Sequence, residues 1–377
     1  MKPALPYLSV IVPAHDASET LADALEALTR SDLPRECWEL IVVDDASGGE
    51  NALIAARYAD AVVRLPGGRH GDAYARNRGF EVAAGECVVF LDPDCRVHPD
   101  ALRRIAMLFA NEPGIDVIVG TYDTESPTTG MMSHYRTLHH HYIHLQSAEA
   151  DTFWSSFGAM RREVFQRAQM YDEWRFSRPQ AVDIELGYRI RALGHRILVR
   201  NDIRVTQLRQ WSIRSAIRSD LRDRSVPWMQ ILMRQRAHPE YKGIALRTIE
   251  KINTASAWIA LTFSVVAMIT LDARWLMSSA ISMAPVLFVN RRLYVFFARQ
   301  RGMVFAVRAM LLHWLYYIVL GVGMAVAWLT HILVGDPRPR PIIEAYSEVG
   351  LEMWPPVPSK RESLRHLASP ADAAVAP

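Results

Sequence analysis

The sequence predicts an α/β fold: a doubly wound, mostly parallel sheet, followed by an α-helical transmembrane region. Three observations carry this. First, short apolar runs rich in β-branched residues alternate with stretches of helical period, at Leu8–Val12, Leu40–Val43, Ala61–Leu65 and Cys87–Leu91. Strands buried on both faces and joined by short helical crossovers read this way. Second, three of these runs stop on polar residues: Pro13-Ala14-His15-Asp16, Asp44-Asp45 and Asp92-Pro93-Asp94. In open α/β sheets the carboxyl ends of the strands face the ligand. Third, Thr254–Leu271 and Trp275–Val289 carry no charge, and Met310–Val334 is interrupted only by His313 and His331. Roughly 20 apolar residues cross a bilayer core, so the first and third runs suffice and the second needs extension at its ends.

The elements follow in order. After the first strand Ser18 is an N-cap, and Leu21, Ala24, Leu25 and Leu28 recur at helical spacing. The second strand closes on Asp44 to Gly49, a helix runs from Asn51 to Tyr58, and a third strand enters the glycine-rich loop Pro66–Asp72. A helix over Ala73–Ala84 ends at Gly85, a suitable C-cap. Pro93 then breaks the ladder after the fourth strand. The Asp92 and Asp94 carboxylates beside it can hold a hard divalent cation whose shell is completed by phosphate oxygens. A helix at Pro99–Ala110 and a strand at Ile115–Gly120 come next.

From Thr121 to Asp151 the periodicity weakens, and His134, His139, His140, His141 and His144 fall there. Consecutive histidines diverge on any regular element, so this reads as a solvated or interfacial helix rather than a metal site. Phe157–Arg162 is a strand entering a helix, and Ala181–Arg191 is a helix with Asp183 at its positive end. Arg214, Arg218 and Arg222 recur every four residues and form a stripe, either a solvated face or a contact for anionic headgroups or a diphosphate.

The totals narrow the class. A net charge of +3 over 377 residues gives no reason to expect a nucleic-acid partner. Cys37, Cys87 and Cys95 show neither a disulfide framework nor zinc spacing. The residues from Met1 to Tyr7 lack the charged and apolar regions of a secretory leader, and no solenoid-length repeat is present. The expected organisation is an α/β domain over residues 1–230 and a juxtamembrane linker over 231–253. About three membrane helices follow over 254–334, with a basic interfacial segment at 290–309, and then a Pro/Ala-rich, partly disordered tail over 335–377. The short link Asp272-Ala273-Arg274 implies a helical hairpin. Arg291, Arg292, Arg299, Arg301 and Arg308 mark the Asn290–Ala309 link as cytoplasmic, and Leu293, Tyr294, Phe296 and Phe297 make it amphipathic. The chain is therefore expected to be a multi-pass membrane protein with its α/β domain in the cytoplasm.

Taken together, Val10-Ile11-Val12-Pro13, Val43-Asp44-Asp45-Ala46-Ser47, Ala75-Arg76-Asn77-Arg78-Gly79, Ala84-Gly85-Glu86 and the strand to Asp94 resemble the inverting family 2 glycosyltransferases. These have the Rossmann-like, nucleotide-sugar-binding GT-A fold. The likeness covers roughly residues 7–230, and membrane-anchored members share the helical tail. It implies that Asp44 and Asp45 meet the nucleotide base, with Pro13, His15 and Arg76 also on the donor. It implies that Asp94 binds a divalent cation, Mn or Mg, and that Asp92 faces the ribose or donor sugar and shares the metal. The family's Glu-Asp before the base-carrying helix reads Val182-Asp183 here, which keeps Asp183 as catalytic base. Gln207 stands where members often have a metal-binding His. Arg222, Arg224 and Trp228 fall near the Arg-Trp signature of processive members, which puts both arginines on the donor. The implied partners are a UDP- or GDP-linked sugar, a glycan or lipid-linked acceptor, and membrane lipid.

The residues suit that chemistry without the resemblance. Displacing a nucleoside diphosphate from a sugar carbon needs a stabilised leaving group, which a cation on Asp94 and a nearby arginine supply. It also needs a base for the acceptor proton, the role open to Asp183. No Gly-X-Gly-X-X-Gly or Gly-Lys-Ser/Thr motif is present, which excludes the usual dehydrogenase and P-loop folds. Two alternatives stay open. One is a polyprenyl-phosphate sugar synthase or processive polysaccharide synthase, told apart by products per binding event. The other is a non-catalytic membrane scaffold that keeps the sugar-nucleotide fold.

Overall fold

The computed structural model describes residues 7–173, 181–234, 248–335 and 352–353. The expected tail beyond residue 335, apart from residues 352–353, and most of the linker over 231–253 lie outside the described residues.

Strand β1 (Leu8–Ala14) is buried along its whole length and is followed by α1 (Ser18–Thr29), β2 (Trp38–Asp45), α2 (Glu50–Ala55), β3 (Ala61–Leu65), α3 (Asp72–Val82) and β4 (Cys87–Leu91). These strands pair in parallel, β3-β2-β1-β4, as the alternating apolar pattern predicts. Beyond β4 the chain adds β5 (Cys95–Val97), α4 (Ala101–Asn111), β6 (Val117–Tyr122), α5 (Met131–Leu145), β7 (Glu149–Ala150), β8 (Phe157–Arg161), α6 (Arg162–Arg167), α7 (Ala181–Ala192) and β9 (Ile197–Gln207). Strand β8 runs antiparallel between β4 and β6, β6 is parallel to β9, and β5 closes the edge antiparallel to β9. The parallel half is thus continued by a mixed half. An apolar run buried on both faces looks the same in either direction, so the sequence does not reveal the inversion. At the other edge β10 (Glu352–Met353), within the Pro/Ala-rich tail, pairs antiparallel with β3.

Helices cover both faces. Leu21, Leu25 and Leu28 of α1, Ala52 and Ala55 of α2, and Leu102, Ile105 and Phe109 of α4 fill one side. Phe80 of α3, Phe165 of α6, and Leu186 and Ile190 of α7 fill the other. Two cap readings are corrected. Ser18 is the first helical residue, and the cap position is Ala17, which has no side chain to offer. Helix α3 ends at Val82, and Gly85 lies past it, donating its N–H to Ser9 Oγ (2.7 Å).

The elements described after β9 up to residue 335 are helical: α8 (Ile213–Ser219), a π-turn (Asp220–Ser225), α9 (Val226–Arg234), α10 (Thr248–Thr270), α11 (Ala273–Val289), α12 (Arg291–Arg301) and α13 (Met303–Val334). Two of these, α10 and α13, are long and apolar enough to cross a membrane. The pair α11–α12 passes the same test only together and is bent by 75°. Helices α10 and α11 form the expected hairpin, with Ser279 donating to the Ala260 carbonyl (2.8 Å). The histidine-rich α5 is not a solvated helix. Tyr135 and Leu138 pack against Leu293 and Phe297 of α12 and Phe305 of α13, while His141 and His144 bond to the Tyr122 and Gly120 carbonyls. The π-turn lies directly on α13: a Cβ at Gly323 would collide with Ser225 Cβ.

Candidate active site

The strand ends of β1, β2 and β4 do deliver their polar residues to one rim, and the details differ from residue to residue. Asp92 is the best connected. Arg76 of α3 donates to its Oδ1 (2.6 Å) and Ser156, just before β8, donates to its Oδ2 (2.5 Å). Arg76 is 2% exposed and the Asp92 side chain 25%, so the ion pair is buried on its cationic side. Such a pair holds its geometry because losing either partner strands a charge. The Arg76 guanidinium also lies 5.6 Å from the Tyr171 ring centroid.

Asp183, in the first turn of α7, is 8% exposed. Ser155 gives it two hydrogen bonds, both to Oδ2: the backbone N–H at 3.1 Å and Oγ at 2.8 Å. Its other oxygen, Oδ1, is buried and has no hydrogen-bond partner among the described residues. Burial pushes the carboxyl up to about 6, and the nearby Arg76 and the Ser155 bonds oppose that rise. Gly187 makes the arrangement possible: one turn beyond Asp183, it lets α7 sit directly on the Thr152–Phe153 backbone, where a Cβ would collide.

Asp94 follows β4 by three residues and is half-buried. Burial and then the like charge of Asp92 push its carboxyl up to about 6, against the pull of Arg209. Among the described residues its carboxylate accepts a side-chain hydrogen bond from the Cys95 thiol (3.6 Å). Gln207 is paired in register with Cys95, but both ends of its amide are used: Nε2 donates to Tyr122 Oη (3.1 Å) and Oε1 accepts from Thr137 (3.3 Å). Among the described residues no three His, Cys, Asp or Glu side chains converge as metal ligands. Both Asp92 oxygens are already bonded. Asp94, an oxygen ligand with spare capacity whose ionisation is opposed, therefore fits a hard divalent cation best.

At the β2 end the two neighbouring aspartates do different things. Asp45 accepts from the backbone N–H groups of His70 (2.9 Å) and Gly71 (2.8 Å), pinning the glycine-rich loop. Asp44 accepts from Ser47 N–H (3.2 Å) and closes the turn after β2. His15 Nδ1 reaches the Asp45 carbonyl (2.6 Å), tying the β1 end to the same corner. Pro13 lies buried within β1. The two arginines after β9 stand elsewhere. Arg222 is exposed, as are Arg214 and Arg218, and Arg224 lies over Tyr316 of α13, 5.8 Å from its ring centroid.

The sequence reading passed over Ser155, Ser156, Tyr171 and Asp72. The serines fall where no periodicity marks them. Asp72 opens α3, and burial raises its carboxyl within the field of Arg76 and Asp92; its place at a helix start after a glycine loop was the available signal.

Residues 9–168 match the family described as Glycosyl transferase family 2. Glycosyltransferase AglE of Haloferax volcanii is 30% identical over 134 residues, which is 34% of this chain and 44% of AglE. The poly(ribitol-phosphate) β-N-acetylglucosaminyltransferase TarS of Staphylococcus aureus is 30% identical over 115 residues, 29% of this chain and 20% of TarS. The chain thus matches less than half the length of these relatives. Among solved structures, mannosyltransferase PcManGT from Pyrobaculum calidifontis, in complex with GDP-Man and Mn2+, superposes with a TM-score of 0.53 at 18% identity, covering 88% of each chain. On this evidence the chain carries a family 2 glycosyltransferase domain with a GT-A-type sheet.

Proposed function

We propose that this protein is a membrane-anchored, inverting glycosyltransferase that moves a sugar from a nucleoside-diphosphate donor to a hydroxyl or phosphate of an acceptor, with Asp183 as general base. The observation that carries this reading is the state of Asp183: one oxygen fixed twice by Ser155, the other buried and without a partner among the described residues, the carboxyl poised at about 6. A base with that pKa is ionised at neutral pH and takes a proton without a large thermodynamic cost.

In this mechanism Asp183 Oδ1 accepts the acceptor proton as its oxygen attacks the anomeric carbon in line, inverting the centre. Arg76, held by Asp92, sets the electrostatic field beside that carboxylate and favours its ionised form. Asp92, through Ser156, ties the β4 end to the segment that presents Ser155. Asp94 would hold a divalent cation, which when bound stabilises the departing diphosphate. Asp45, through His70 and Gly71, shapes the corner assigned to the nucleotide base. PcManGT is solved in complex with GDP-Man and Mn2+, and TarS is a poly(ribitol-phosphate) β-N-acetylglucosaminyltransferase, which agrees with a sugar nucleotide, a cation and a phosphate-rich acceptor here. The apolar helices α10 and α13 support a membrane location, with α12 and its arginines lying on the cytoplasmic face.

The test is a panel of UDP- and GDP-sugars incubated with the full chain and Mn²⁺ or Mg²⁺. Donor cleavage is scored, and the anomeric configuration of the product is read by NMR. Cleavage of at least one donor with inversion is expected. Donor binding without any turnover would support a scaffold instead, and a retained configuration would remove the single-base mechanism.

A further inference from the structure

Two consecutive residues that are not glycine, Gln169 (φ 61°) and Met170 (φ 57°), stand in the left-handed region. A side chain there is strained, and such strain persists where the surroundings impose it, often beside functional groups. Here the surroundings can be named. Arg189 of α7 donates to the Met170 carbonyl (2.8 Å), and the Met170 N–H donates to the Phe165 carbonyl in α6 (2.9 Å).

The next residue, Tyr171, is clasped from the other side. Its N–H donates to Asn77 Oδ1 (3.1 Å) and its carbonyl accepts from Asn77 Nδ2 (2.9 Å), as a neighbouring strand would arrange it. Asn77 Nδ2 also reaches Glu173 Oε2 (2.6 Å), which pins the chain two residues on. Asn77 and Tyr171 are each 2% exposed. The turn thus joins α3, which carries Arg76 next to Asn77, to α7, which carries Asp183 and Arg189.

The result of this clasp is the placement of one ring. Phe90 of β4 and Phe165 meet Tyr171 edge to face, with centroids 5.4 and 5.5 Å away. The Arg76 guanidinium lies over the ring, 5.6 Å from its centroid. Tyr171 Oη has no hydrogen-bond partner among the described residues, so the ring and not the hydroxyl makes the contact. Arg76 Nη2 bonds Asp92, while its Nε has no partner among the described residues. A single hydrogen bond leaves a guanidinium able to turn about it; an aromatic face beneath, attractive to a cation, removes that freedom. The charge so fixed opposes the rise that burial imposes on the Asp183 carboxyl.

We infer that Tyr171 is a positioning residue: the Asn77 clasp and the strained turn set its ring under Arg76, and the ring fixes that guanidinium in place relative to Asp183. The inference rests on the glycosyl-transfer reading for the use made of Asp183, but ionisation of that carboxyl can be followed without turnover.

The experiment uses the full chain in detergent micelles with no sugar nucleotide. Melting temperatures are taken across the pH range for wild type, Tyr171→Leu and Tyr171→Phe, each with Asp183 and with Asp183→Asn. The gap between the two members of a pair widens as pH rises and levels off once folded Asp183 is ionised. In Tyr171→Leu the levelling-off should move up by about one pH unit, because a loosened Arg76 favours the carboxylate less. Tyr171→Phe should keep the wild-type position. If Tyr171→Leu melts lower with its levelling-off unmoved, Tyr171 is a packing residue only and the inference is overturned. A shift in Tyr171→Phe as large as in Tyr171→Leu also overturns it, since the hydroxyl would then carry the effect. If Tyr171→Leu fails to fold, Asn77→Ser decides, because it opens the clasp and keeps the ring. A smaller shift in the same direction supports the inference, and none overturns it. Should wild type show this titration and its dependence on Tyr171 yet cleave no donor, the transfer reading fails and the positioning of Arg76 stands.

Discussion

Ser155 grips Asp183 by a single oxygen, with a backbone N–H at 3.1 Å and a hydroxyl at 2.8 Å both on Oδ2, so that Oδ1 is left buried and unpartnered among the described residues. A carboxylate held for structure alone would be expected to have both oxygens satisfied. Neighbouring Glu185 shows the contrast: it is 1% exposed, with one oxygen on Arg189 Nε and the other on Arg189 Nη2, each at 2.6 Å.

Asp183→Asn should reduce transfer by about 10²–10⁴-fold in kcat with little change in donor affinity, because the swap removes only the proton-accepting ability. Glu185→Gln should act differently, lowering stability by weakening the Arg189 pair while the folded fraction keeps its turnover. Steady-state kinetics and thermal melts on both variants distinguish them. Turnover of Asp183→Asn above about a tenth of wild type would exclude Asp183 as the base.

The pH dependence follows from the same group. With the folded carboxyl at about 6, activity should fall as pH drops through 6, and the limb steepens if Asp94, also pushed up to about 6, must ionise as well. Stability runs the opposite way. The folded protein holds the Asp183 proton more tightly than the unfolded chain does, so the stabilising contribution is present at low pH and disappears as pH rises through about 6. Asp183→Asn should therefore be more stable than wild type at pH 8, by on the order of 1–3 kcal/mol. The gap should close near pH 4, as melts at the two pH values would show.

Ser155→Ala removes the hydroxyl bond to the ionised form of Asp183 and leaves the backbone bond. The acid limb of the kcat profile should move upward from 6, because a lost bond to the carboxylate favours its protonated form. A variant that loses activity with the limb unmoved would assign Ser155 a purely structural part.

Asp94→Ala should abolish the Mn²⁺-dependent part of donor affinity, since it removes the carboxylate whose own charge is opposed by burial and by Asp92. Calorimetric titration of the nucleoside diphosphate with and without Mn²⁺ reads this directly. Equal Mn²⁺ enhancement in the variant would place the cation elsewhere.

Gly323→Val would drive a branched side chain into Ser225 where even a Cβ has no room. Forced overpacking typically costs about 1–3 kcal/mol. The melting temperature should fall, while Gly335→Ala at the end of α13, where a Cβ meets nothing, should cost only the strain of its positive φ.

Much of this arrangement was legible. The strand ends at Asp45 and Asp92 and the helix start at Asp183 were visible because apolar runs stop on carboxylates there. What stayed hidden has physical reasons. Adjacent residues on a strand face opposite ways, so Asp44 and Asp45 could not be told apart until Asp45 was seen on His70 and Gly71. Ser155 and Ser156 lie on an irregular segment, and only folding brings them to residues 28 and 64 positions away in the chain. The aim of Gln207 is set by Tyr122 and Thr137, which nothing in its own neighbourhood announces. Arg222 and Arg224 looked equivalent because a π-turn leaves no clear trace in a four-residue repeat.

Helix α5 carries a last consequence. Its apolar side, with Met132, Tyr135 and Leu138, is covered by α12 and α13 rather than by the sheet domain's own helices. The two regions therefore share one cooperative unfolding unit, and a single calorimetric transition is expected instead of two. A shortened fragment stopping at residue 234 would bare that side to water. Its poor solubility would be a property of the cut, made through the middle of a packed interior, and not of the catalytic sheet.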